Sequence, residues 1–314
     1  MIIDFHSHII EYSWLPERWW TWLTEFSNSK RQSSLFPHLE RSDLRARICD
    51  GDGSKLLAGM EDAQIDKSIV LPLDWGILLG EPPVSIEEQH NRIADISEKS
   101  NGKIVPFVGV DPRRKGALEL IKYCLEDRRM QGIKLYPAAG YDPRDKAYHG
   151  IFEAALRYDV PVLVHTGYSF GPFLSEYCGP GVLDCLCARY PDITFVAAHL
   201  GSGYLEQLCW LGYAKPNLYV DCSLMQIRAR QNYSEFAGNL RLACDLFGSR
   251  RILFGTDWPF SQTVMKNDEY VNALRKLKSV DSSGTAFAGY EVKQILGGTA
   301  ASLLSKKKGG CDDR

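Results

Sequence analysis

Eight short runs of apolar, largely β-branched residues recur along the chain, at positions 2–6, 65–73, 104–111, 132–137, 160–167, 193–201, 218–224 and 252–259. Each is nearly continuous rather than alternating, the pattern of parallel strands covered on both faces. The pieces between them, such as 116–128, 148–158, 180–190 and 234–247, space their apolar residues at helical intervals and have the length of crossover helices. Eight strands alternating with helices over ~250 residues predict an α/β fold, a (β/α)8 TIM barrel. The alternative, an open doubly wound sheet, calls for a glycine-rich phosphate turn after an early strand, and none is present. No repeat or linker divides the chain, so a single barrel domain is expected over 1–305, with a polar tail over 306–314.

One segment breaks the alternation. Residues 11–58 separate the first two strands by far more than one helix needs, and residues 12–22 hold four of the seven tryptophans. Whatever follows a barrel strand begins at the catalytic face. The segment is therefore either a helical lid over the site or a helix packed on the barrel exterior or a second subunit.

Composition removes whole classes of function. The 314 residues are 45% hydrophobic, which excludes disorder, and 37 basic against 39 acidic residues leave a net charge of −2. That balance argues against nucleic acid as a partner, and the one basic run, Lys306-Lys307-Lys308, lies in the tail. No stretch approaches the ~20 apolar residues of a membrane span. The N-terminus has neither the basic region nor the apolar core of a signal peptide. Nine scattered cysteines, with no Cys-x-x-Cys pair, read as reduced and mostly buried thiols. A cytoplasmic enzyme of small molecules is the expectation.

The chemistry sits at the strand ends. The first run closes with His6-Ser7-His8, and residues two apart on a strand share a side. The fifth ends in His165, the sixth in His199 and the eighth in Asp257, each after apolar or small residues. One such residue would be explained by local hydrogen bonding. Four strands of eight delivering a polar group at the same end point to a shared divalent ion. His38, His90 and His149 lie in loop or helical surroundings and are read as surface or capping residues. Lys134, amid the apolar run Gly132-Ile133-Lys134-Leu135-Tyr136-Pro137, is read as pointing inward. It is either carbamylated and bridging two metals, or cationic and binding a substrate carboxylate or oxyanion, with a snorkelling core lysine less favoured.

Together, Asp4-Phe5-His6-Ser7-His8, the lysine run, Leu163-Val164-His165-Thr166-Gly167, Ala198-His199-Leu200-Gly201 and Phe254-Gly255-Thr256-Asp257-Trp258-Pro259 resemble the amidohydrolase superfamily. The match is to its amidohydrolase-related branch, which includes aminocarboxymuconate-semialdehyde decarboxylase and metal-dependent hydrolases. The resemblance spans the chain from residue 2 to about 300. It implies His6, His8, His165 and Asp257 as metal ligands and His199 as a catalytic histidine. The expected ion is zinc, one per chain, or two if Lys134 is carbamylated as in binuclear members. Homodimers occur among relatives. Two departures stand out: Ile9-Ile10 where dihydroorotase has a substrate-binding arginine, and Thr299 where the branch commonly has asparagine.

In this reading Asp257 accepts the proton of the attacking water, His199 donates to the oxyanion or shuttles a proton, and Lys134 neutralises anionic charge. The expected reaction is hydrolysis of an ester, lactone or amide bond in a small anionic substrate. The alternative, using the same metal site, is non-oxidative decarboxylation of a small aromatic or unsaturated acid. Trp75, Tyr136, Tyr168 and Trp258 are candidate substrate contacts, and Asp111 and Asp221 are turn residues or partners behind the ligands.

Overall fold

The computed structural model describes residues 1–28, 41–278 and 286–305; His38 and the lysine tail lie outside them. Nine short parallel strands occur among these residues: β1 Ile3–Ser7, β2 Lys67–Val70, β3 Ile104–Pro106, β4 Val108–Gly109, β5 Ile133–Leu135, β6 Val162–Val164, β7 Phe195–Ala197, β8 Leu218–Asp221 and β9 Ile252–Leu253. β3 and β4 are the two halves of one expected strand, parted at Phe107. Neighbours pair in sequence order, β1 to β3 in one ladder and β4 to β9 in another. The Phe107 amide, donating to Val70 O at 3.0 Å, bridges the gap between them. The ring closes where Phe5 N donates to Phe254 O (2.7 Å) and His8 N to Trp258 O (2.8 Å). The result is the expected (β/α)8 barrel.

The helices are α1 Glu17–Asn28, α2 Arg41–Ile48, α3 Ser54–Asp62, α4 Gly76–Leu79, α5 Ile86–Lys99, α6 Ala117–Glu126, α7 His149–Arg157, α8 Pro180–Arg189, α9 Leu205–Ala214, α10 Gln226–Gln231, α11 Tyr233–Phe247, α12 Asn267–Lys276, α13 Gly289–Lys293 and α14 Thr299–Ser305. Local signals set their ends: the Ser85 hydroxyl accepts from Glu88 N at the start of α5, and the Asn232 side-chain oxygen Oδ1 accepts from Glu235 N at the start of α11. Ile3, Phe5, Ile69, Val105, Leu163, Val196 and Leu253, drawn from six strands, meet in one cluster, the barrel interior. A larger cluster joins the outer strand faces to the helices. A third holds Trp19 and Trp20 of α1 and Leu44 and Ile48 of α2 against Leu73, Trp75, Ala138 and Phe173, from the loops that follow β2, β5 and β6. α1 and α2, the described helices at either end of the long stretch between β1 and α3, thus pack at the C-terminal face of the barrel.

His90 departs from the expectation of a surface or capping residue, since it is fully buried in α5. Its Nδ1–H donates to Ile86 O (2.6 Å) and its Nε2 accepts from Gly109 N (3.0 Å), tying helix to strand. A helical sequence context does not reveal that a strand amide lies opposite. Burial lowers its pKa below 6.5, so the folded state holds it neutral while the unfolded chain can protonate it. Its contribution is full above pH ~6.5 and is lost as pH falls through the folded value. His90→Gln is expected to cost about 1–3 kcal/mol at pH 7.5 by leaving the Gly109 amide poorly paired. It should also lose less stability than wild type between pH 7.5 and 5.5 in urea denaturation.

Candidate active site and metal centre

β1 delivers His6, and His8 follows it. The ladder to β2 shifts register between Asp4 and Ser7, so regular pairing is interrupted beside His6. His6 Nδ1 lies 2.8 Å from Asp221 Oδ2, and His8 Nδ1 lies 2.6 Å from Leu71 O. With the N–H of each ring committed to those acceptors, each Nε2 carries a lone pair. Both lone pairs face one carboxylate oxygen: Asp257 Oδ1 is 3.2 Å from His8 Nε2 and 3.5 Å from His6 Nε2. Three electron-rich atoms around one point repel unless a positive charge lies among them.

β6 and β7 complete the cluster. His165 Nδ1 and His199 Nε2 are 3.1 Å apart, and the other ring nitrogens bond Ser169 Oγ and Ser223 Oγ, each at 2.8 Å. His199 and Asp257 hold left-handed backbone, with φ of 62° and 53°, a region that costs of order 1–3 kcal/mol for a non-glycine residue. Hydrogen bonds hold them there: His199 N donates to Asp221 Oδ1 (3.0 Å) and Asp257 N to His6 O (2.7 Å). Gly255 lets the final strand close on the first, because a Cβ there would sit 2.8 Å from His6 Cβ.

Electrostatics match a cation site. Burial lowers the pKa of His6, His165 and His199 well below the ordinary histidine value, so these imidazoles are neutral. Burial alone would raise the Asp257 carboxyl, but its contacts with His8 and His6 and the nearby Lys134 outweigh it and hold the carboxyl below the ordinary aspartate value, ionised. Burial also pushes Lys134 down to about 8, partly offset by Asp221 and Asp257. Deprotonated imidazoles beside an ionised carboxylate are what metal ligation requires, and donor atoms of His6, His199 and Asp257 lie within 4.8 Å of one another. The donor set fits a divalent ion. His8 reaches this trio through Asp257 and His165 reaches it through His199, whereas the resemblance places His8 and His165 among the ligands and His199 outside them.

His6, His8, His165, His199 and Asp257, with Lys134, line one cavity of about 590 Å³. Trp75, Tyr136 and Trp258 line it too, as do Trp19 and Trp22 of α1 and Arg47 of α2. Tyr136 lies 4.5 Å from the His165 ring and Phe173 4.8 Å from Trp75, centroid to centroid. Tyr168 is not part of this lining. The chain turns at Gly167 (φ 104°), and Tyr168 lies 60% exposed, stacked on Tyr204. Asp111 serves its turn, accepting from Arg113 N at 3.0 Å, whereas Asp221 backs His6 and His199 directly.

Sequence reasoning passed over Asp4, Ser169 and Ser223. Asp4 is fully buried and accepts from Thr256 Oγ1 (2.6 Å), Thr256 N (2.9 Å) and His6 N (3.1 Å), fastening the strand that carries Asp257 to β1. Burial raises its carboxyl to about 7. An aspartate inside an apolar strand run was the available signal. The two serines carry no such mark.

The family model described as Amidohydrolase matches residues 3–306. Among solved structures, the TIM-barrel protein Bb4693 of Bordetella bronchiseptica superposes with a TM-score of 0.71 at 19% identity, covering 98% of this chain and 99% of that one. The 5-carboxyvanillate decarboxylase of Novosphingobium aromaticivorans, complexed with manganese and 4-hydroxy-3-methoxy-5-nitrobenzoic acid, gives 0.68 at 16%, covering 97% and 96%. An amidohydrolase of Burkholderia multivorans with bound zinc gives 0.65 at 16%, covering 97% and 99%. At these identities the likeness concerns the fold. A curated relative, protein fluG of Emericella nidulans, is 27% identical over 119 residues, a match spanning 37% of this chain and 14% of that protein's length. With the family model covering nearly its whole length, the chain belongs to the amidohydrolase family.

Proposed function

We propose that the cavity is the active site of a metal-dependent hydrolase cleaving an ester, lactone or amide bond of a small anionic substrate. The observation that carries this reading is the convergence of the His6 and His8 lone pairs on Asp257 Oδ1. His6 and Asp257 belong to both donor sets, with His8 and His165, or His199, completing the shell; the histidine-rich donors suit zinc. An ion held there supplies Lewis acidity and lowers the pKa of water at the site. Asp257, kept ionised, accepts the proton of the attacking water and passes it to the leaving group. Where His8 and His165 complete the shell, His199, held by Ser223, donates to the developing oxyanion. Lys134 binds anionic charge on the substrate.

A second reading has its own support. The aromatic wall of Trp19, Trp75, Tyr136, Phe173 and Phe260 favours a planar unsaturated group, the kind of substrate from which a carboxylate leaves as a carbon is protonated. Turnover of a panel of aryl esters, lactones and aromatic acids in ¹⁸O-water, under anaerobic conditions, separates the two. Hydrolysis places one solvent oxygen in the product. Carbon dioxide release without that label would replace it with decarboxylation.

A further inference from the structure

One face of α1 borders the cavity. Trp19, Trp22, Leu23 and Phe26 follow one another at the spacing of a single helical stripe, and all four line the space. Arg18, Thr21 and Glu25 take the exposed side of the helix. The stripe begins at the reacting centre. Ring contacts run from His8 through Phe260, Trp19, Trp75 and Tyr136 to His165, with centroids 4.5–5.9 Å apart at each step. Trp19 is the member of that chain of rings that α1 supplies. The stripe ends at Phe26, whose ring stacks on Trp22 (5.1 Å) and meets Phe170 (6.4 Å), a side chain 51% exposed. Seven residues at a rise of 1.5 Å each carry it about 10 Å along the helix axis. No charged side chain projects from this stripe. Of the charged residues on the described lining, Lys134 and Asp257 lie beside the imidazoles, Arg47, Lys55, Asp62 and Lys266 are exposed, and Asp268 is half-buried. The volume of about 590 Å³ falls within the ~300–1,000 Å³ of sites that enclose drug-sized ligands.

We propose that the substrate carries a straight, uncharged apolar group about 10 Å long, a linked biaryl or an extended alkyl chain, and that it lies along the α1 stripe with its reacting end at the imidazoles. Trp22 and Phe26 are then specificity-determining residues that read the length of that group. The inference rests on the reading of the same cavity as the substrate site and narrows the class of substrate. Straightness follows from the stripe, which runs along the helix axis. Length follows from the same geometry, because a group confined to one ring would reach Trp19 and leave Trp22 and Phe26 facing water. Removing a second aromatic ring from water is worth roughly 10- to 100-fold in affinity.

Calorimetric binding to the zinc-loaded full-length protein tests this with three carboxylates: benzoate, biphenyl-4-carboxylate and biphenyl-2-carboxylate. The last has the same atoms as the second but is bent, so it controls for unspecific apolar binding. Wild type is expected to bind biphenyl-4-carboxylate roughly 10- to 100-fold more tightly than benzoate, and about 10-fold or more over the bent isomer. Trp22→Ala and Phe26→Ala should each shrink the advantage over benzoate by about fivefold, while benzoate itself changes by less than about twofold. Alanine suits a helix interior, and circular dichroism checks that both variants fold. If one does not, the wild-type ratios still decide the matter. Equal affinity for benzoate and biphenyl-4-carboxylate would overturn the proposal, as would a bent isomer that binds as tightly as the straight one. So would no binding of biphenyl-4-carboxylate, or an advantage that survives both substitutions. Because binding is the readout, a failure to detect hydrolysis would count against the proposed reaction while leaving this length preference intact.

Discussion

Asp257→Asn is expected to lower kcat by about 10³–10⁴-fold while the protein still folds and keeps much of its metal. Asparagine has the same shape and retains an oxygen that can face His6 and His8, so packing in this buried position is preserved. What it lacks is a basic oxygen able to take the proton of water. The variant also removes a negative charge from a site holding Lys134 nearby, so some weakening of metal binding accompanies the loss. Metal analysis by plasma mass spectrometry, beside steady-state kinetics on whichever substrate the panel yields, checks both halves. Turnover at the wild-type rate would remove Asp257 from its assigned role.

Replacing His6 and His8 together by alanine is expected to abolish stoichiometric metal binding. Wild type should carry one ion per chain, or two with a carbamylated Lys134, and the double variant none. Stability gives an independent readout. An ion at about 100 times its dissociation constant raises folding stability by about 2.7 kcal/mol, so metal should raise the wild-type Tm and leave the variant's unmoved. The variant starts less stable in the apo state, because Asp221 loses the His6 ring that pairs with it and is itself fully buried. Circular dichroism separates a folded, metal-free variant from an unfolded one. Retention of a full complement of ion would mean that the first strand does not hold it.

Much of the architecture was legible because strand and helix periods differ and because both faces of a barrel strand are buried. Ile133 and Leu135 flank Lys134, and Val162 to Val164 precede His165, so each polar residue stood out against an apolar run. The same logic located His199 and Asp257. It did not locate Ser169 or Ser223, because serine in a loop is ordinary until a histidine nitrogen is found 2.8 Å away. Tyr168 shows the converse. Its neighbourhood to His165 in sequence suggested a contact with substrate, but a left-handed glycine turns it out to stack on Tyr204.

By itself the sequence determined the barrel, the end of it that carries the chemistry, and the residue types available there, since local hydrophobic period and strand direction act over a few residues at a time. Tertiary structure decided which nitrogen of each imidazole faces the cation position and which aspartate stands behind His6. Those outcomes depend on atoms from β1, β8 and the segment after β9 meeting across more than two hundred residues of chain, and hydrogen-bond geometry at that separation leaves no periodic trace in the order of amino acids.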